Sequence, residues 1–132
     1  MPRRVRRIDL KPHDFLDRHS AGGKLTIDPT AAVRPGVSID HSADVTIGAH
    51  TVVCEDVLIL THLHDIADPF DKSRCTYSPL VIGERCFIGE RATILPQVTS
   101  IGDEAVIGAC AVVTHDVPAG ETWVGNPARR RP

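Results

Sequence analysis

Aliphatic residues recur every six positions along this chain, and that period leaves few folds open. Ile27, Val33 and Ile39 are six apart, as are Ile47, Val53 and Ile59. The same spacing returns at Ile82, Ile88 and Ile94, and again at Ile101, Ile107 and Val113. A helix repeats its buried face every 3.6 residues and a strand every 2, so neither alone gives a period of six. A short strand followed by a corner does. Three such sides close a triangular coil, and stacked coils bury one aliphatic per side. Gly48, Gly83, Gly89, Gly102 and Gly108 each follow an aliphatic. They are expected to supply corner angles that other residues resist. Small or β-branched residues fill a second phase at Ala31, Val37, Ala43, Thr51, Val57, Ala92, Val98, Ala105 and Ala111. The expected fold is all-β, a parallel β-helix.

A narrow coil explains the composition. The 132 residues are 42% hydrophobic, yet only Phe15, Phe70, Tyr77, Phe87 and Trp123 carry aromatic rings of the Phe, Tyr or Trp type. The core must therefore be built from Val, Ile, Leu and Ala. Four of the five rings fall outside the hexads. Phe87 lies within them and is expected to pack beneath a loop.

The interruptions are as informative as the repeat. Ile39 and Ile47 are eight apart, a two-residue insertion around His41 to Asp44. Ile94 and Ile101 are seven apart, a one-residue insertion within PQVTS. Ile59 and Ile82 are 23 apart, and the out-of-phase stretch between them holds His62, His64, Asp65, Asp68 and Asp71. Long excursions from a regular scaffold usually carry function. The organisation read from the chain is a basic N-terminal segment and cap over 1–24, a β-helix over 25–118 with an excursion at 61–79, and a turn-rich tail over 119–132. HDFLDRHS suits a short helical cap on the open end of the solenoid.

Charge and cysteine usage exclude several classes. The net charge of −2 gives no general pull toward nucleic acid. No apolar run is long enough for a membrane span, and MPRRVRRIDL lacks the apolar stretch of a secretory signal. Cys54, Cys75, Cys86 and Cys110 show no paired spacing for disulfides or zinc. Free thiols in a reducing cytoplasm are expected, with Cys54, Cys86 and Cys110 as buried small hydrophobes.

The second half, PLVIGERCFIGERATILPQVTSIGDEAVIGACAVVTHDVPAGETWVGNPAR, resembles the maltose and galactoside O-acetyltransferases and their polysaccharide-modifying relatives among the hexapeptide acyltransferases. VIGACAVVT and VGNPAR carry the resemblance most specifically. It implies a left-handed parallel β-helix, against the usual right-handed crossover. It also implies a homotrimer, acetyl-CoA as donor, a sugar or polysaccharide-precursor hydroxyl as acceptor, and no metal.

In that family a single His at the start of the excursion acts as general base, seventeen residues after the Ile of an Ile-Gly pair. From Ile47 that count reaches His64. The following Asp65, Asp68 and Pro69 resemble the H-D-x-x-D-P of polysaccharide-type relatives. Imidazole suits the work, because its ordinary pKa lies near 6.5. It removes the hydroxyl proton as the thioester is attacked and returns it to the departing thiolate. Both substrates are held together, so no acyl-enzyme is needed.

The resemblance implies substrate-binding roles for Asp40, His62 and Asp65. It implies CoA contacts at Ala109, Thr114, His115 and Arg129. His115 replaces the family's Lys, which removes a fixed positive charge, and Gln97 replaces the Gly of I-L-P-G-V. IDHSADVTIG resembles a stretch of serine O-acetyltransferases in which the His matching His41 is catalytic, so a serine or amino-sugar acceptor stands as an alternative. A non-catalytic scaffold is another. A zinc enzyme on the same scaffold would need an H-x4-H pair that the seven His do not supply.

Overall fold

A computed structural model of the chain describes residues 22–132. The expected helical cap falls outside the described residues. Within them the hexads form coils of three short strands. The first coil holds β1 (Leu25–Ile27), β2 (Ala32–Val33) and β3 (Ser38–Ile39), and the second β4 (Val45–Ile47), β5 (Val52–Val53) and β6 (Leu58–Ile59). The excursion contributes β7 (His62–Leu63) and β8 (Thr76–Tyr77). The third coil holds β9 (Leu80–Ile82), β10 (Phe87–Ile88) and β11 (Thr93–Ile94), and the fourth β12 (Ser100–Ile101), β13 (Val106–Ile107) and β14 (Val112–Val113).

Three parallel sheets form the sides, with orders β1-β4-β9-β12, β2-β5-β10-β13 and β3-β6-β11-β14. Register turns the sequence period into columns. Ile27, Ile47, Ile82 and Ile101 align on one side. Val33, Val53, Ile88 and Ile107 align on the second. Ile39, Ile59, Ile94 and Val113 align on the third. All of these except Ile27, at the open end, are buried. The second phase is buried as well at Ala31, Val37, Thr51, Val57, Ala92, Val98, Ala105 and Ala111; Ala43, beside the two-residue insertion, is half-buried.

The glycines serve a different purpose from the one expected. Left-handed corner residues are mostly not Gly: His50, Asp56, Arg85, Arg91, Glu104 and Cys110 all have φ between 52° and 61°. The Ile-Gly glycines are needed because coils stack closely. A Cβ on Gly89 would lie 2.6 Å from the Ala109 nitrogen, and one on Gly48 would lie 2.5 Å from the Gly83 oxygen.

Two further expectations are corrected. Phe87 is 46% exposed, because in a two-residue strand Ile88 points inward and Phe87 outward. Cys54 and Cys86 are buried, but Cys110 occupies an exposed corner. The segment read as a turn-rich tail also extends the solenoid. Val117 bridges Ile101. β15 (Thr122–Val124) pairs in parallel with β13 and places Trp123 beside Ile107. β16 (Arg129–Arg130) folds back antiparallel on β15. The Trp123 ring, too wide for an inner coil, packs on the last one.

The insertions have local explanations. The extra residue near Ser100 leaves amides out of phase with the coil below. Asp116 accepts them: its Oδ1 lies 2.7 Å from the Thr99 nitrogen and 3.2 Å from the Ser100 nitrogen. The excursion is closed at its neck by Ser78 donating to the Thr61 carbonyl at 2.9 Å.

Candidate active site

The two-residue insertion ends the first coil with a polar centre that the spacing alone does not reveal. Asp40 is 2% exposed, one of the few buried polar residues of the solenoid. Its Oδ1 accepts from the Ser42 nitrogen at 2.9 Å and the Ser42 hydroxyl at 2.6 Å. Its Oδ2 accepts from the Thr61 nitrogen at 2.9 Å and the His62 nitrogen at 3.2 Å. His62 Nδ1 lies 2.5 Å from the same Oδ2. Burial alone would raise the carboxyl pKa, but the donors from Ser42, Thr61 and His62 outweigh it and hold Asp40 below its ordinary value. Thr61 completes the join: its hydroxyl donates to the Asp40 carbonyl at 2.9 Å and accepts from the Ala43 nitrogen at 3.0 Å.

His64 stands two residues further on, where the excursion leaves the solenoid. Its Nδ1 is 3.2 Å from the Pro69 carbonyl oxygen. The antiparallel pairing of β7 with β8 sets His62 opposite Tyr77 and Leu63 opposite Thr76. The next pair in that register is His64 and Cys75, and Cys75 Sγ lies 3.5 Å from His64 Nδ1. The His62 and His64 rings meet edge to face, with centroids 5.1 Å apart and planes at 73°.

Asp65 is committed to the loop itself. It forms an ion pair with Arg74 at 2.5 Å and accepts from the Ala67 nitrogen at 2.9 Å. A single 3₁₀ turn, Lys72–Arg74, is capped by Asp71 and carries Arg74 to that position. His41 Nδ1 lies 3.0 Å from the Gly23 carbonyl oxygen.

The residues expected to touch CoA form a second group on the upper coils. Ala109 is exposed at the corner between β13 and β14. Thr114 and His115 follow β14, with Thr114 Oγ1 2.9 Å from His115 Nδ1. Arg129 is exposed on β16 and donates to its neighbour's carbonyl, Ala128, at 2.9 Å. Among the described residues, no three His, Cys, Asp or Glu side chains are arranged to hold a metal ion.

Sequence reasoning singled out Asp40, His62 and His64, which the structure brings together. It missed Ser42 and Thr61, whose donors keep Asp40 ionised, and Cys75. The position of Ser42 gave a signal, since an Asp side chain in a turn commonly accepts from the backbone two residues on. Cys75 depends on the hairpin register, which no local pattern supplies.

Comparison with known proteins agrees with this architecture. Residues 79–115 match the family described as the hexapeptide repeat of succinyl-transferase. The putative colanic acid biosynthesis acetyltransferase WcaF of Escherichia coli is 37% identical over 105 residues, covering 80% of this chain and 56% of that protein. The chain thus spans little more than half the length of this curated relative. The maltose O-acetyltransferase of Clostridium difficile superposes with a TM-score of 0.63 at 30% identity, covering 86% of this chain and 68% of that one. A galactoside acetyltransferase in complex with coenzyme A gives 0.67 at 25% identity, covering 86% and 62%. The solenoid is the left-handed parallel β-helix, and the chain belongs to the hexapeptide-repeat acyltransferases.

Proposed function

We propose that the chain is an acetyl-CoA-dependent O-acetyltransferase that modifies a hydroxyl of a sugar or polysaccharide precursor, with His64 as general base. The observation that carries the reading is the contact between His64 Nδ1 and the Pro69 carbonyl. A carbonyl oxygen only accepts, so it favours the tautomer with the proton on Nδ1. Nε2 then keeps its lone pair for a substrate proton.

In the reaction, the acceptor hydroxyl gives its proton to Nε2 as its oxygen attacks the thioester carbonyl. The tetrahedral intermediate collapses with cleavage of the carbon–sulfur bond, and the proton passes from Nε2 to the CoA thiolate. Acceptor and donor are bound together, which makes the attack effectively intramolecular. Asp65 shapes the acceptor side by fixing the loop through Arg74 rather than by a free carboxylate.

Ala109, Thr114, His115 and Arg129 hold CoA along the upper coils. Arg129 must release the Ala128 carbonyl to pair with a phosphate, an exchange that favours the charged partner. With His115 in place of a Lys there is no fixed positive charge at that position, and Arg129 carries more of that task.

The site is completed by a homotrimer. The outward column Ala32, Val52, Phe87 and Val106 makes one flat side of the solenoid apolar, and Phe87 is its largest exposed member. Ile66 and Phe70, 89% and 90% exposed on the excursion, are further apolar surface that a neighbouring subunit would cover. Among the described residues no helix is long and apolar enough to cross a membrane. The four free cysteines fit a reducing compartment, and on that ground we place the enzyme in the cytoplasm.

The experiment is thiol release from acetyl-CoA against a panel of sugars, nucleotide-linked amino sugars and serine. A sugar hydroxyl should turn over, and His64→Ala should reduce that turnover by about 10²–10⁴-fold, the usual value of a positioned base. Turnover with serine alone would replace the acceptor class. Lack of acyl-CoA binding by the unmodified protein would overturn the reading.

A further inference from the structure

We propose that Asp40 and His62 are positioning residues that hold the His64 imidazole in its working orientation, a three-member relay running from the scaffold into the loop. This rests on His64 being the base.

A base on an excursion has a placement problem. His64 leaves the solenoid on a loop, and its ring has two torsions to fix. The Pro69 carbonyl restrains one ring nitrogen, but Pro69 belongs to the same loop. Asp40 does not. It belongs to the first coil, and its backbone nitrogen donates to the Ile59 carbonyl at 2.9 Å, within the stacked sheets. Asp40 is therefore a fixed point from which the loop can be held.

The clamp on His62 is double. The backbone nitrogen and the ring Nδ1 of His62 both reach Asp40 Oδ2, at 3.2 Å and 2.5 Å. An ionised carboxylate only accepts, so Nδ1 of His62 carries a proton whichever charge the ring has. Two bonds to one oxygen fix the main chain and the χ angles of His62 together. Its side chain is 17% exposed, so it is a wall rather than a mobile group. That wall meets the His64 ring edge to face at 5.1 Å, an arrangement that aromatic quadrupoles favour. The arrangement also explains why Asp40 is so heavily bonded. Ser42 and Thr61 already supply donors to both oxygens, so the carboxylate could be satisfied without an imidazole. The imidazole is there to be held.

The ordering matters chemically. His62 with its carboxylate is itself a plausible base by composition, and the relay assigns it a different task. It is bound to Asp40 by the nitrogen that faces the scaffold, and it packs against the ring whose Nε2 does the work.

Two variants separate the possibilities. His62→Asn keeps a donor near the position of Nδ1 but removes the rest of the ring. His62→Phe keeps the ring and removes the donor. Each is compared with His64→Ala for kcat, KM for acetyl-CoA, thermal midpoint and the pH dependence of kcat/KM. The relay predicts that both His62 variants fold and keep KM for acetyl-CoA. It predicts that kcat falls by roughly 10–100-fold, the scale of a small misplacement. The acid limb of the pH profile should remain, since His64 still supplies it. His64→Ala should be far weaker than either.

If His62→Asn and His62→Phe turn over like the unmodified protein while His64→Ala does not, the relay is wrong and the base assignment stands. If His64→Ala retains turnover while both His62 variants lose it along with the acid limb, His62 is the base and the reading of His64 fails. Should His62→Asn fail to fold, His62→Phe carries the same comparison.

Discussion

The Sγ of Cys75 lies 3.5 Å from Nδ1 of His64, placed there by the register of the hairpin formed by β7 and β8. Any group added to that sulfur enters the space of the imidazole. Alkylation with iodoacetamide should therefore abolish acetyl transfer. Cys54 and Cys86 are buried and Cys110 is exposed, so the comparison is made in a Cys110→Gly background. There, inactivation should follow modification of one thiol, and Cys75→Ser should protect. Equal inactivation of the Cys75→Ser protein would show that the thiol is not the point of attack.

Asp40 links the site to acid stability. Its folded pKa is held below the unfolded value of about 3.9, so the unfolded state binds its proton first as pH falls. The stabilisation is complete above about pH 4 and is lost as pH drops through the lower folded value. Urea midpoints measured from pH 5 down to pH 3 should decline, and Asp40→Asn should start lower and decline less. The flattening will be partial, because Asp116 is also held low. Its partial burial acts upward, but donors from Thr99 and Ser100 outweigh it. An unchanged slope in Asp40→Asn would mean that its carboxylate is not the group that titrates.

The scaffold was legible in the sequence for a physical reason. A β-helix repeats one environment, so twelve aliphatics in phase record twelve equivalent places, and Ile47, Ile82 and Ile101 stack as their spacing requires. The site was legible only in part. Asp40, His62 and His64 stand out as chemistry-bearing residues beside breaks in phase, but their pairing depends on coils stacking, which joins residues 22 apart. Cys75 and Phe87 were misjudged or missed because their surroundings come from a hairpin register and an outward strand position. The Ile-Gly glycines were assigned to corner angles when the cause was close approach between coils, a distance that no single stretch of sequence contains.

Cys110 offers a stabilising change. It sits at φ 60°, a conformation that costs a residue with a Cβ about 1 kcal/mol relative to Gly. It is exposed, so little packing is lost. Cys110→Gly should raise stability by about 0.5 kcal/mol once the greater freedom of Gly in the unfolded chain is subtracted. Cys110→Ala, with the same Cβ at the same corner, should give no gain. A thermal melt of the three proteins decides it, and equal midpoints for Gly and Ala would place the corner's cost elsewhere.

Phe87 tests the proposed subunit contact. It is 46% exposed, with Val52 and Val106 as cross-strand neighbours. An apolar ring flanked by apolar neighbours on a flat sheet loses its solvent contact when a second surface covers it. Phe87→Glu should convert a trimer to monomers in sedimentation velocity and lower acetyl-CoA affinity, while the far-ultraviolet spectrum stays that of the β-helix. A trimer that survives this charge would assign the interface to another side of the solenoid.

Gly89 and Gly125 differ in kind, and a matched pair of alanine substitutions exposes the difference. A Cβ on Gly89 would meet the Ala109 nitrogen at 2.6 Å and the Gly108 carbonyl carbon and Ile107 oxygen at 2.8 Å. All three are backbone atoms of the next coil, fixed at the strand spacing of about 4.8 Å. The coils must part, and Gly89→Ala should cost more than about 2 kcal/mol, the range of strained core changes. Ala109 is among the positions proposed to hold CoA, so KM for acetyl-CoA should rise as well. Gly125 has room, with its nearest neighbour, the Pro127 oxygen, 3.7 Å from the added carbon. Its φ of 93° is the obstacle. Gly125→Ala should cost about 1–2 kcal/mol through backbone conformation alone, as measured by denaturant unfolding. If the two substitutions cost the same, the tight stacking at Gly89 does not limit which residues can follow the Ile of a coil.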